Sequence, residues 1–220
     1  MKRMAIALCL VAGVLSFSSA LALDLQRKSF NPANPGDVDL NSVQAIYGCD
    51  NGSPSSGYFQ NTDDRLGNAF DFGSGAVLSE VAFMHYGFGF SGPYNYDIEI
   101  WDPASCTFVT AKNNLVAADA SSSLQIENVA LCADNIFVAG PMVVTIDPNT
   151  CAAPNDCYPD LLFDTQINVA CPWIINNAST SPACFDVSAF NGPFLLRVAT
   201  DECPTPTQAH SWGQVKAIYR

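Results

Sequence analysis

The sequence predicts an all-β protein: an antiparallel, jelly-roll-like β-sandwich, stapled by disulfides and ending in a short helical tail. Three observations predict it. Apolar residues recur at every second position in several short runs, the spacing of a strand with one face in a core. Turn-forming stretches such as "DNGSPSSG", "GFGFSGP", "DPAS", "DPNTCAAPNDCYPD", "NASTSPA" and "FNGP" separate those runs. The chain also has many Gly, Pro, Asn, Asp and Ser but only 9 Lys plus Arg, a composition poor in helix formers.

Residues 1–22 read as an export signal. Lys2 and Arg3 precede an apolar run from Met4 to Phe17, and Ala20-Leu21-Ala22 supplies the small residues of a cleavage site. The run is too short for a stable membrane span, and no second one follows. Residues 23–42, with "NPANPGD", form an irregular lead segment, and 43–203 the sandwich domain, a size one all-β domain accommodates. Within it, "GNAFDFG" puts Phe70 and Phe72 on one face, and "LSEVAFMHY" does so for Val81 and Phe83. "YNYDIEIWD" gives the clearest alternation, with Tyr94, Tyr96, Ile98 and Ile100 opposite Asn95, Asp97, Glu99 and Trp101. "LQIENV" around Ile126 and "FLLRVAT", with Phe194, Leu196 and Val198 against Arg197, follow suit. "NIFVAG" and "PMVVTID" are unbroken apolar runs, expected to be strands buried on both faces. These amount to roughly ten strands. From Asn149 to Asp186 alternation is weak, and a stapled loop excursion is expected there.

Of nine cysteines, Cys9 leaves with the signal. The remaining Cys49, Cys106, Cys132, Cys151, Cys157, Cys171, Cys184 and Cys203 are an even set in an exported chain, which reads as a disulfide framework. Eight cysteines allow 105 pairings; the pairing expected is Cys151–Cys157 and Cys171–Cys184 as local hoops, Cys106–Cys132 across neighbouring strands and Cys49–Cys203 tying the ends. With no C-x-x-C pair and only His85 and His210 as imidazoles, the pattern does not suit zinc.

A net charge of −12, more negative once Lys2 and Arg3 are removed, repels phosphate backbones and excludes nucleic acid as a natural partner. The chain has no G-x-S-x-G, H-E-x-x-H, phosphate-binding Gly-Lys loop or dinucleotide fingerprint. An enzyme would therefore have to work through carboxylates. Asp97 and Glu99 share a strand face with Asp102 just beyond, superficially like the E-x-D-x-x-E strand of sandwich-fold glycoside hydrolases, though permuted to D-x-E-x-x-D. A solvated strand face, paired with Arg197, explains the same pattern. His85 reads as a packed histidine. Phe88, Phe90 and Trp101 are the candidate platform on which a sugar ring would stack. No cofactor is expected; the oxygen-rich loops Asn61–Asp64, Asp50–Ser53 and Asn155–Asp160 leave room for a structural calcium.

The last residues, 204–220, change character. Pro204 and Pro206 form a stiff spacer. Ser211 and Gln214 then fit a capping box, and Trp212, Val215 and Ile218 or Tyr219 form one apolar stripe of a mini-helix, with Lys216 and Arg220 near its C-terminus. Either it docks on its own sandwich or export or surface-attachment machinery reads it through Trp212, Lys216, Tyr219 and Arg220. This W-G-x-[VI]-K-x-[IL]-[YF]-R ending resembles that of uncharacterised exported proteins from environmental bacteria. The "IYGCDNGS…GNAFDF…LSEVAF…YDIEIWD" region is similar to the sandwich domains of such proteins. The resemblance implies export and a sandwich fold, and brings no activity with it. The expectation is an extracellular, periplasmic or cell-surface binding or structural protein, whose ligand is a polysaccharide or another envelope component; a glycan-cleaving enzyme is the alternative.

Overall fold

The computed structural model describes residues 27–29, 47–50, 52–58, 60–153, 156–164, 171–187 and 192–200. The signal, the lead segment except for 27–29, Cys203 and the tail lie outside them. The described residues are all-β with antiparallel sheets, and no helix occurs among them.

Fifteen strands follow one another among the described residues: β1 (Arg27–Ser29), β2 (Ser56–Tyr58), β3 (Arg65–Asp71), β4 (Ala76–Tyr86), β5 (Tyr94–Asp102), β6 (Thr107–Ala117), β7 (Gln125–Ala130), β8 (Phe137–Val138), β9 (Pro141–Pro148), β10 (Thr150–Ala153), β11 (Asp156–Tyr158), β12 (Asp160–Phe163), β13 (Pro172–Asn176), β14 (Ala183–Asp186) and β15 (Leu196–Thr200). Six of them form a sheet in the order β14-β13-β3-β9-β5-β6. A seven-stranded sheet runs β1-β2-β12-β4-β15, with β7 and β8 also paired to β4, while β10 and β11 form a separate hairpin.

The two large sheets share one core because alternation points their inner residues at each other. Leu66, Phe70, Tyr94, Tyr96, Ile98, Ile100, Val144 and Ile146 meet Val81, Phe83, Leu161, Phe163, Phe194, Leu196 and Val198. Each fully buried Phe, Ile or Leu among them contributes about 1.5–3 kcal/mol. The sheet faces that look outwards are also partly covered. Ala82, Met84, Leu124, Leu162 and Leu195 cluster outside the seven-stranded sheet, and Trp101, Val143 and Ile175 outside the six-stranded one. Gly67 is needed in the middle of β3: a Cβ there would lie 1.9 Å from the Val144 carbonyl oxygen of β9.

Several expectations change. The stretch from Asn149 to Asp186 is no excursion: β12 pairs with β2 and β4, and β13 with β3 and β14. Its alternation is weak because β12 is buried along its whole length. "PMVVTID" is buried on both faces from Val143 to Asp147, but in "NIFVAG" Phe137 is 60% exposed. The disulfides are Cys49–Cys171, Cys106–Cys184 and Cys151–Cys157. Only the last hoop is as expected; Cys171–Cys184, Cys106–Cys132 and Cys49–Cys203 are excluded, since Cys171, Cys184, Cys106 and Cys49 have other partners. Cys132 is disulfide-bonded too, and its pairing lies outside the described residues. The bridges follow the sheets rather than the sequence. Cys49 lies beside Tyr47, which bridges to Val198 of the seven-stranded sheet, and Cys171 hydrogen-bonds β3 of the other sheet through its carbonyl.

Candidate functional site

The two halves of the candidate aromatic platform lie at opposite ends of the sandwich. Phe88 and Phe90 are in the loop leading into β5, Trp101 at its far end, seven residues or about 23 Å away along an extended strand. Trp101 is only 3% exposed and offers no face to a ligand. Phe108 meets it edge-on at 5.6 Å between ring centroids, and the Cys106–Cys184 bridge packs on the same cluster. The bridge joins the β5–β6 turn to edge strand β14, and both its cysteines pack against the Trp101, Val143 and Ile175 cluster. Phe88, with a φ of 45°, turns outwards and meets Tyr86 at 4.8 Å between ring centroids.

Phe90 faces the other way. Its ring stacks on Tyr158 at 4.8 Å and an 18° tilt, and Tyr94 lies behind, 5.5 Å from Tyr158. Tyr94 Oη donates to the Phe90 carbonyl at 2.6 Å and lies 3.3 Å from Asp119 Oδ1. Gly87 makes this possible, because a Cβ there would lie 2.1 Å from that hydroxyl oxygen. Burial, then the charge of Asp119, pushes the Tyr94 hydroxyl up to about 12. Burial together with Asp160 and Asp156 raises that of Tyr158. Asp119 accepts backbone N–H groups of Gly92 and Ser121, which hold its carboxyl below the ordinary range. Tyr158 Oη donates to Asp156 Oδ2 at 3.2 Å. The end of the sandwich thus carries a half-buried phenyl ring backed by two buried tyrosines and rimmed by carboxylates.

Behind it, His85 is fully buried against Phe83 and Tyr94, its Nε2 3.2 Å from Glu127 Oε1. Burial opposes ionisation of Glu127, but hydrogen bonds from His85 and the Ala118 N–H outweigh it and lower its pKa. His85 is a packed residue, as its place on the inner face of β4 suggested.

The strand carboxylates are each engaged in a structural bond. Asp97 Oδ1 accepts the Asn114 N–H at 2.6 Å, fixing a bulge in β6. Asp102 Oδ1 accepts the Ala104 N–H, and its Oδ2 the Ser105 hydroxyl; those bonds lower its pKa and close the β5–β6 turn. Glu99 Oε2 takes Arg65 Nε at 3.0 Å and Trp101 Nε1 at 2.9 Å. Arg197 bonds Asp50 instead, at 2.7 Å. Glu99's real acidic neighbour is Asp147 of β9: Arg65 reaches both, with Nε 3.0 Å from Glu99 Oε2 and Nη1 2.9 Å from Asp147 Oδ1. Arg65 and Asp147 went unnoticed in the sequence. The signal for Asp147 is a carboxylate at the end of the apolar "PMVVTI" run; that for Arg65 is its rarity in so acidic a chain.

In two of the oxygen-rich loops the carboxylates are taken up by protein donors. Asn61 Nδ2 donates to Asp64, Asp63 accepts from Ser179, and Asp50 accepts from Gly52 and Arg197. Among the described residues no group of three or more His, Cys, Asp or Glu is placed to hold a metal ion, and no helix is long and apolar enough to cross a membrane. No known family matches the chain, and no curated protein or solved structure matches it.

Proposed function

We propose that this is an exported, disulfide-stapled β-sandwich acting outside the cytoplasm as a binding or structural module, with a polysaccharide or another cell-envelope component as its ligand. The observation that carries the reading is Phe90, a half-exposed ring at the sandwich end, held rigid by Tyr158 and Tyr94 and flanked by Asp119 and Asp156. An apolar ring face beside hydrogen-bond acceptors suits the apolar face and hydroxyls of a sugar. The rigid backing means little ordering cost on binding. The disulfides are compatible with export. In this reading the sandwich is jelly-roll-like, and the tail forms a short helix that export or surface-attachment machinery reads through Trp212, Lys216, Tyr219 and Arg220.

Retention of the mature protein on a panel of insoluble polysaccharides tests the binding. A ligand should be found, and Phe90→Ala should weaken it on the order of tenfold, as loss of a central aromatic contact does. Retention by no polysaccharide, or a Phe90→Ala protein that binds as well as the parent, overturns the reading. For the tail, truncation before Pro204 in the native host should release the protein from the surface. Unchanged export and retention would instead mean that it docks on its own sandwich.

A further inference from the structure

On the outer face of the six-stranded sheet, next to Trp101, two acids share one base. The side chains of Arg65, Glu99 and Asp147 are 8%, 12% and 7% exposed. Strand register explains the meeting. Glu99 is level with Thr145 of β9, which is level with Gly67 of β3, so no side chain from β3 fills the middle of that row. Asp97 and Asp147 are level one step away, on the side of Arg65. Into this space reach Glu99 and Arg65, with Nε on the carboxylate, while Trp101 Nε1 donates to the same oxygen.

Arg65 does not satisfy Asp147 equally well. Its Nη1 lies 2.9 Å from Asp147 Oδ1, but its aligned hydrogen bonds go to the Thr62 and Asp64 carbonyls, and Asp147 Oδ1 accepts none. Two ionised carboxylates against one guanidinium would leave a buried negative charge, an arrangement that desolvation penalises heavily. Asp97 on β5 would add to that repulsion, and Asp63 and Asp64, in the turn before β3, already draw on Arg65. A proton on Asp147 removes the excess charge.

We propose that Asp147 keeps a proton beside Glu99 and Arg65 and that this proton makes the outer face of the six-stranded sheet a pH-sensitive clasp, closed in mild acid and loosened above neutrality. Burial first, with the charges of Glu99 and Asp97 outweighing part of the pull of Arg65, pushes the Asp147 carboxyl up to about 7. The folded chain then binds one more proton than the unfolded chain between the ordinary carboxylate range and neutrality. Stability contributed by the group is complete below that range and is lost as pH rises towards about 7. At the steepest, the folded-to-unfolded ratio falls about tenfold per pH unit.

The test is urea unfolding of the mature protein from pH 4 to pH 9, with the carboxyl carbon of Asp147 followed by NMR. Asp147→Asn should remove up to one proton from the pH dependence and stabilise the protein above pH 7 relative to the parent. In Glu99→Gln the Asp147 carbon should titrate well below its parental midpoint, because the second charge is gone. An Asp147 titration in the ordinary carboxylate range in the parent overturns the proposal. So does an Asp147→Asn protein with parental pH dependence, or a Glu99→Gln protein whose Asp147 midpoint does not move. If Asp147→Asn fails to fold, the two NMR titrations decide alone.

Discussion

Asn68 is completely buried in the core, on the inner face of β3, among the least expected residues for that place. It is tolerated because its amide reaches the opposite sheet. Nδ2 donates to the carbonyls of Phe194 at 2.7 Å and Leu196 at 3.1 Å, and Oδ1 accepts the Phe194 N–H at 3.0 Å. These bonds satisfy the backbone just where the chain enters β15. Replacing Asn68 with Ala would remove all three of these bonds, although the Phe194 carbonyl keeps the Leu196 N–H, and should cost about 2 kcal/mol or more, since a lost buried partner costs about 1–3 kcal/mol. Urea unfolding should show a lower midpoint at unchanged slope. Nothing in "GNAFDFG" announced this role, because an Asn between apolar neighbours reads as the polar side of a strand. The partners that reverse that reading lie more than a hundred residues away.

At the scale of elements, the ends of the six-stranded sheet are treated differently. Edge strand β6 exposes Phe108, Val109 and Val116, an invitation to pair with another chain. Two register shifts against β5 interrupt its edge, and at one of them Asn114 adopts a φ of 61° and turns its N–H to Asp97. Asp97 therefore helps blunt an edge. At the other end, β14 is held to the β5–β6 turn by Cys106–Cys184, which spans 78 residues, whereas Cys151–Cys157 closes a hairpin with a separation of 6. On the chain-entropy treatment the first bridge contributes about 4.5 kcal/mol and the second about 2 kcal/mol. Replacing both cysteines of each pair by Ser should give that order in chemical denaturation. Loss of Cys106–Cys184 should also red-shift tryptophan emission as Trp101 becomes wet, while loss of Cys151–Cys157 should leave it unchanged. Equal costs would show that the unfolded chain is not what these bridges restrain.

At the scale of the whole molecule, the all-β class and the inward faces of β3, β4, β5 and β15 were legible from alternation, which needs only that one face of a strand be buried. Strands buried on both faces carry no such mark, so β12 and β13 were taken for a loop. The candidate site was legible in part. Phe90 was singled out, but Tyr158, its stacking partner, lies in the stretch without alternation. Trp101 was grouped with Phe90 although a strand's length separates them. Glu99 was paired with Asp97, its neighbour in sequence, when its acidic partner is Asp147, one strand across.

By itself the sequence determined the local properties of this protein: period-two strands, turns rich in Gly, Pro, Asn and Asp, a strongly acidic surface and a set of cysteines suited to pairing. Only the tertiary structure decided which cysteines join, which tryptophan is covered and which carboxylates meet. The physical reason is range. Alternation and turn chemistry act within a few residues, whereas a disulfide, a stacked ring or a buried pair of carboxylates depends on which strands lie side by side, and that order comes from packing two whole sheets around one core.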